Sequence, residues 1–166
     1  YMEYNNSSPN TDPIISIGTV ADKLDTSVSS IRKYEAEGFI IPYKSDSGHR
    51  LFSLEDIERI RTIQHLIKDY GLNLEGIRRL QALLPCWIIL PCSKKQSKKC
   101  PALKDYSKPC WMINGLDCVT QGNECRICHV YRFGSLYVEN IKEIVFNGRN
   151  GKDISTEIKN FLNKPI

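Results

Sequence analysis

The sequence predicts a mainly α-helical protein: four helices with a small β-wing, then a small cysteine-rich module, then C-terminal helical segments. Three observations carry this. Apolar residues recur at helical spacing through residues 14–84. A turn-rich stretch, Gly38–Ser53, interrupts that periodicity once. All seven cysteines fall between Cys86 and Cys128. The chain therefore divides into a disordered tail (1–13), a helical domain (14–84), a cysteine module (85–131) and a C-terminal helical segment (132–166).

Residues 1–13 are rich in Asn, Ser and Pro without periodicity, which predicts fraying. Ser16 is an N-cap for a first helix that turns Ile17, Val20, Ala21 and Leu24 to one face. Asp25-Thr26 makes the turn. Ser27 caps a second helix that reaches about Glu37 and stops at Gly38. Val28 and Ile31 face the first helix, which leaves Ser29, Ser30, Arg32 and Lys33 outward. Phe39-Ile40-Ile41 reads as a buried strand ended by Pro42, Lys44–Gly48 as a loop, and Arg50-Leu51-Phe52 as the return strand. Ser53 and Asp56 form a capping box with Asp in the usual place of Glu. Its helix turns Ile57, Ile60, Ile63 and Ile67 inward and ends at Gly71. Asn73 caps a fourth helix with a Leu74, Ile77, Leu80, Leu84 stripe, closed by Pro85.

Two short helices joined by a tight turn, with a wing beside the second, describe a winged helix-turn-helix. Such folds lay the second helix in the DNA major groove and hold phosphates with basic side chains nearby. Residues 15–84 further resemble the winged helix-turn-helix domain of the MerR family of bacterial transcriptional regulators. The matching residues are Ile17-Gly18, Val20-Ala21, Ser30–Glu35, Gly38-Phe39-Ile40, Pro42, Gly48–Ser53 and Asp56-Ile57. The resemblance implies that Arg32, Tyr34 and, from the wing, Arg50 grip backbone phosphates, with Ser29 and Lys33 approaching bases or nearby phosphates. Three positions depart from the family pattern: Lys33 replaces an aromatic, Lys44 an Arg and His49 a Tyr. Lys in place of Arg gives up planar bidentate phosphate contact. Tyr34 also reads as a core residue, and His49 as a solvated wing residue.

Charge distribution limits how DNA could be held. Residues 1–84 carry 10 Lys and Arg against 12 Asp and Glu, a net −2, whereas residues 85–131 carry +4 and 132–166 carry +2. Affinity must therefore come from a local patch. The longest apolar run, around Ile88–Leu90, is broken by Pro85 and Pro91 and falls short of the roughly 18 residues that span a bilayer. Tyr1–Pro13 lacks the basic-then-apolar pattern of a secretory signal, so the protein reads as cytoplasmic, with Met2 as its natural start. No catalytic pair supports an enzyme. His49, His65 and His129 lie in unrelated contexts, and no Gly-rich phosphate loop occurs.

The cysteine segment contains a repeat. Pro85-Cys86-Trp87-Ile88-Ile89 returns as Pro109-Cys110-Trp111-Met112-Ile113, 24 residues on. Cys92, Cys100, Cys118, Cys125 and Cys128 complete the set, and Cys125–Cys128 is a C-x-x-C pair. In a cytosolic chain such clustering favours metal or redox chemistry over a disulfide framework. The segment resembles the two-CW cysteine module of some bacterial sensory proteins, through Cys86-Trp87, Cys92, Cys100-Pro101-Ala102, Cys110-Trp111, Gly115, Cys118, Cys125, Cys128 and Tyr131. That resemblance implies a metal or redox sensor. Four thiolates suit a 4Fe–4S cluster, the favoured cofactor; zinc or another thiophilic ion, and a metal-free thiol switch, stay open. His129 as an eighth zinc ligand is awkward because it abuts Cys128. The two tryptophans and Ile88-Ile89-Leu90 read either as a cluster's apolar shell or as the core of a small domain. Lys94, Lys95, Lys98 and Lys99 read as a solvated loop, or as neutralising thiolates or touching DNA.

MerR-type regulators dimerise through a long helix after the fourth, but Pro85-Cys86 interrupts there and no heptad run follows. Leu136–Phe146 and Ile154–Leu162, separated by a turn at 147–151, are the segments left to pair subunits. The expectation is a homodimeric, metal- or redox-responsive regulator on double-stranded, pseudo-palindromic promoter DNA. By the resemblance, RNA polymerase would engage the promoter once its spacer is distorted. The rival expectation is a metal- or electron-handling redox protein whose helix-turn-helix only docks a partner.

Overall fold

The computed structural model describes residues 9–90, 92, 98–120, 122, 124–149 and 156. They form two compact units, one of residues up to Leu72 together with Glu124–Ile127, the other of Asn73–Asn123 and the chain from Cys128 onward.

In the first unit, β1 (Ile15–Ser16) leads directly into α1 (Ile17–Lys23). Ser16 ends the strand and caps the helix, its hydroxyl accepting from the Thr19 amide at 3.3 Å. Helix α2 (Val28–Ala36) starts on Ser27, whose Oγ accepts from the Ser30 amide at 3.1 Å. It ends where Gly38 adopts φ +80°, so that the amides of Gly38 and Phe39 close onto the carbonyls of Glu35 and Tyr34 at 2.9 Å each. Strands β2 (Tyr43–Lys44) and β3 (Arg50–Phe52) make the wing, and β1 pairs with the other edge of β3. The register sets Tyr43 opposite Leu51, Lys44 opposite Arg50, and Ile15 opposite Phe52.

The strand predicted at Phe39-Ile40-Ile41 is displaced. Phe39 and Ile40 are buried as expected but irregular. The Phe39 carbonyl accepts from Arg59 Nε at 2.7 Å rather than from a neighbouring strand. Pairing begins only past Pro42, which has no amide to give. Helix α3 (Leu54–Lys68) opens with the predicted capping box, in which Ser53 Oγ accepts from the Asp56 amide at 3.2 Å and Asp56 Oδ2 from the Ser53 amide at 2.8 Å. Its Ile57, Ile60, Ile63 and Leu66 are buried, as are Val20, Ile31 and Phe52 of the same unit. Each such side chain contributes about 1.5–3 kcal/mol on leaving water. Leu66, rather than the expected Ile67, is the last buried apolar side chain of α3.

The tail is ordered at its end. Pro9–Thr11 is a 3-10 turn against α3 with Thr11 buried, which differs from the disorder expected over residues 1–13; residues 1–8 lie outside the described residues.

The second unit begins with α4 (Leu74–Ala82), capped by Asn73 Oδ1 accepting from the Gly76 amide at 2.8 Å. The sequence reading gives this helix to the first domain. The structure gives it to the second, because Ile77 and Gln81 are buried where α4 packs on a long helix from the far end of the chain. That partner is α7 (His129–Arg149). Between them lie α5 (Cys86–Ile89), 3-10 turns at Pro101–Leu103 and Cys110–Met112, and the short α6 (Asp117–Thr120). Leu84, Ile89 and Val130 form the centre of a core flanked by Leu90, Trp111 and Tyr137. Trp111 meets Tyr131 edge-on at 5.5 Å between centroids. Gly134 of α7 leaves room for the indole, since a Cβ there would come within 2.5 Å of Trp111 Cη2.

Helix α7 corrects the expected C-terminal layout. It starts at His129, inside the module placed at 85–131, and runs unbroken to Arg149 through the turn expected from residue 147. His129 is fixed in that helix, stacked on Phe133 at 6.0 Å. The expected Ile154–Leu162 segment lies outside the described residues except for Thr156, which is helical, and so does the Lys94-Lys95 loop.

Candidate nucleic-acid interface and cysteine cluster

Helix α2 presents Ser29, Arg32 and Lys33 to solvent, as the apolar spacing requires once Ile31 is buried. Arg32 and Lys33 form no ion pair among the described residues. Ser29 is tied into the cap, its hydroxyl 2.8 Å from that of Ser27. Tyr34 is half-buried, and burial pushes its phenol above the ordinary tyrosine range. The hydroxyl therefore stays protonated, a donor suited to a phosphate oxygen. Tyr34 is thus packed along one side and exposed on the other.

The wing supplies the remaining cations. Ser45 and Gly48 close its tip, the Gly48 amide donating to the Ser45 carbonyl at 2.8 Å and the His49 amide to Ser45 Oγ at 3.1 Å. Gly48 has φ +82°, a conformation that suits glycine at a tight turn. Lys44 and His49 are exposed on either side of that tip. Arg50 is not a free phosphate ligand. Its Nε donates to Glu35 Oε2 at 2.6 Å, and the carboxylate raises the guanidinium pKa further. Glu35 is the residue that sequence reasoning missed: on a helical wheel it is one more surface carboxylate, and only the fold brings it to a residue 15 positions away.

One further contact was not legible. Arg126, from the cysteine segment, lies over the Tyr43 ring of β2 at 5.6 Å from its centroid. Its NH1 donates to the Thr11 carbonyl at 3.4 Å.

In the second unit, Cys86, Cys92, Cys100, Cys118 and Cys128 lie close enough to perturb one another's ionisation. Burial, more than the neighbouring thiols, pushes the Cys86 thiol up to about 11. Burial likewise raises Cys92, Cys118 and Cys128, with further thiols adding to the effect. Cys110 packs on the same core as Cys86 and Cys128, whereas Cys125 folds with the winged unit. All seven thiols are unbridged. Among the described residues, no three His, Cys, Asp or Glu side chains are arranged to hold a metal ion. No helix there is long and apolar enough to cross a membrane.

Comparison with known proteins bears on the contiguous part of the first unit and on α4 of the second. The family model described as "MerR HTH family regulatory protein" matches residues 15–84, the stretch that carries the resemblance. The chain is similar to the HTH-type transcriptional regulator GlnR of Bacillus anthracis, at 35% identity over 68 residues, covering 41% of this chain and 52% of GlnR. It is similar to TnrA of Bacillus subtilis at 39% over 56 residues (34% and 51% of the two chains). To MlrA of Escherichia coli K12 it is 35% identical over 68 residues (40% and 28%). The chain thus spans about half or less of the curated relatives it matches. A cap-stabilised α1–α2 pair, a wing tied to α2 and a matching family model agree in one respect: residues 15–84 are similar to the helix-turn-helix domain of the MerR family.

Proposed function

We propose that this protein is a sequence-specific DNA-binding transcriptional regulator of the MerR type, controlled through its cysteine segment. The observation that carries the DNA reading is the join between helix and wing. Arg32 and Lys33 on α2 stand exposed, while Arg50 on β3 is held to Glu35 of the same helix. Helix and wing are thereby presented as one surface, and a surface made rigid before binding loses less entropy on DNA. Double-stranded promoter DNA, RNA polymerase and a second copy of the chain are the partners of this reading.

The signal is the second part of the proposal. Seven thiols without bridges are a soft donor set, suited to a 4Fe–4S cluster first and to zinc second. Among the described residues the thiols do not form a closed coordination shell. The chain's own contribution is to keep Cys86 and Cys128 partly buried, which raises both thiols, so that any ligation there must displace protons.

A gel shift of the full chain on DNA from upstream of its own gene tests the first part. A specific complex supports regulation, and its absence with iron bound favours the metal- or electron-handling alternative. An anaerobic absorption spectrum with metal analysis tests the second part. A broad visible band with bound iron is expected, and colourless zinc-loaded protein would remove the cluster.

A further inference from the structure

The two copies of the Cys-Trp pair meet different fates in the second unit. Trp111, of the second copy, is packed edge-on to Tyr131 and close over Gly134. Trp87, of the first copy, is 48% exposed. Both tryptophans line one cleft of about 530 Å³, counting the space open to solvent, together with Leu84, Tyr106 and Val130. Tyr106 is itself 68% exposed. No Asp, Glu, Lys, Arg or His stands among the described residues of the lining. A volume of this order with an apolar, aromatic wall is that of a small-molecule site. One polar group interrupts the wall. Gln81 of α4 shares a helix face with Ile77 and Leu84, where packing alone would favour an apolar side chain. It is 0% exposed and lines the cleft. Its Nε2 donates to Ser135 Oγ at 3.5 Å, whereas its Oε1 has no hydrogen-bond partner among the described residues. A buried carbonyl left unpaired costs free energy that a well-placed donor restores.

We propose that this cleft binds a small, neutral, flat aromatic molecule carrying one N–H or O–H donor, which Gln81 Oε1 accepts. Trp87 and Tyr106 supply aromatic surface for its ring. The ligand is neutral because a charge would lose its water there without gaining a counter-ion. It carries a donor because an amide oxygen only accepts. It is a ring rather than a peptide, since a peptide brings one donor and one acceptor per residue to a wall with few polar groups. The site stands apart from the DNA reading: α1, α2 and the wing contribute nothing to its lining.

The test uses the full chain, with indole as the probe and 1-methylindole, which keeps the ring but lacks the N–H, as its control. Isothermal titration calorimetry should show saturable binding of indole, with 1-methylindole weaker by about fivefold or more. Gln81→Leu should bring the two affinities to within about twofold of each other. Trp87→Ala, at an exposed position, should weaken both probes by about fivefold or more. If Gln81→Leu does not fold, the two probes on the native chain decide the role of the acceptor by themselves. The proposal is overturned by a native chain that takes up no indole at millimolar concentration, or that binds both probes equally. Native affinity in Trp87→Ala overturns it too.

A second readout locates the ring. Cys110 lines the cleft and is partly exposed, whereas the exposed Cys92 is not part of the lining. Saturating indole should slow alkylation of Cys110 by N-ethylmaleimide about fivefold or more and leave Cys92 within about twofold. Mass spectrometry of the labelled peptides measures both rates. Protection of both cysteines alike, or of neither, puts the ring elsewhere and overturns the proposal.

Discussion

Arg50 Nε donates to Glu35 Oε2 at 2.6 Å, tying the return strand of the wing to helix α2. The pair is neither deeply buried nor fully exposed, with side-chain exposures of 36% and 17%. Its role is geometric, because half-exposed pairs contribute little to stability.

Coupling follows from that geometry. Arg50→Ala should weaken DNA binding, and Glu35→Gln should weaken it less by letting the guanidinium wander. The double variant should be no weaker than Arg50→Ala alone, since Glu35 acts through Arg50. Anisotropy titrations of the four proteins check this. Additive losses would show that Glu35 acts independently.

Arg32 makes a different kind of contribution. Arg32→Ala should weaken binding to all duplexes alike and lower the slope of log K against log salt by about 0.9, the release of one phosphate's counterions. An unchanged slope would place Arg32 away from the backbone.

The wing and helix were legible from Ser27, Gly38, Gly48 and the Ser53–Asp56 box because those signals are local: caps and turns are decided within four residues. The strand at Phe39–Ile41 was misplaced because β-branched and aromatic residues suit any buried extended segment. The Phe39 carbonyl instead accepts from Arg59, 20 residues away. Arg59 itself sits on α3 among charged neighbours, and nothing in the sequence marks it as buried. The same limit hid Glu35 and Arg126. Their partners are set by tertiary approach, which no periodicity encodes. The seven cysteines were conspicuous, but their division between two units was not, since spacing records order along the chain and not which surface a turn will join.

The Ser53 cap should be costly to lose. Ser53→Ala removes the hydroxyl that accepts from the Asp56 amide and donates to its carboxyl. A cost of about 1 kcal/mol is typical for such a cap. Urea unfolding of the variant checks it.

Asp56 gives a pH dependence with a definite sign. Burial, more than its bonds to Ser53 can offset, raises its carboxyl above the ordinary Asp range. The folded state then holds a proton that the unfolded state has released, so this contribution to stability is full at lower pH. It declines as pH rises from the ordinary Asp value through the raised one. Asp56→Asn should flatten stability against pH across that window; a slope equal to the native one would mean the carboxyl is not desolvated.

The second unit can be probed without DNA or metal. At pH 8 about one Cys86 thiol in a thousand is ionised, given a pKa of about 11. Iodoacetamide should therefore label Cys86 far more slowly than the exposed Cys92. Gly134→Ala should drive a methyl into Trp111. Overpacking of this kind costs about 1–3 kcal/mol, read as a lower thermal midpoint with altered tryptophan fluorescence.

The return of Glu124–Ile127 to the winged unit sets an order of synthesis. The winged unit cannot be completed when its last contiguous residue, Leu72, leaves the ribosome, because Arg126, which lies over Tyr43, is made 54 residues later. Until then the nascent chain carries a wing without its cover. A fragment cut after the fourth helix would keep that unfinished form permanently, so truncation would alter the wing as well as remove the cysteines.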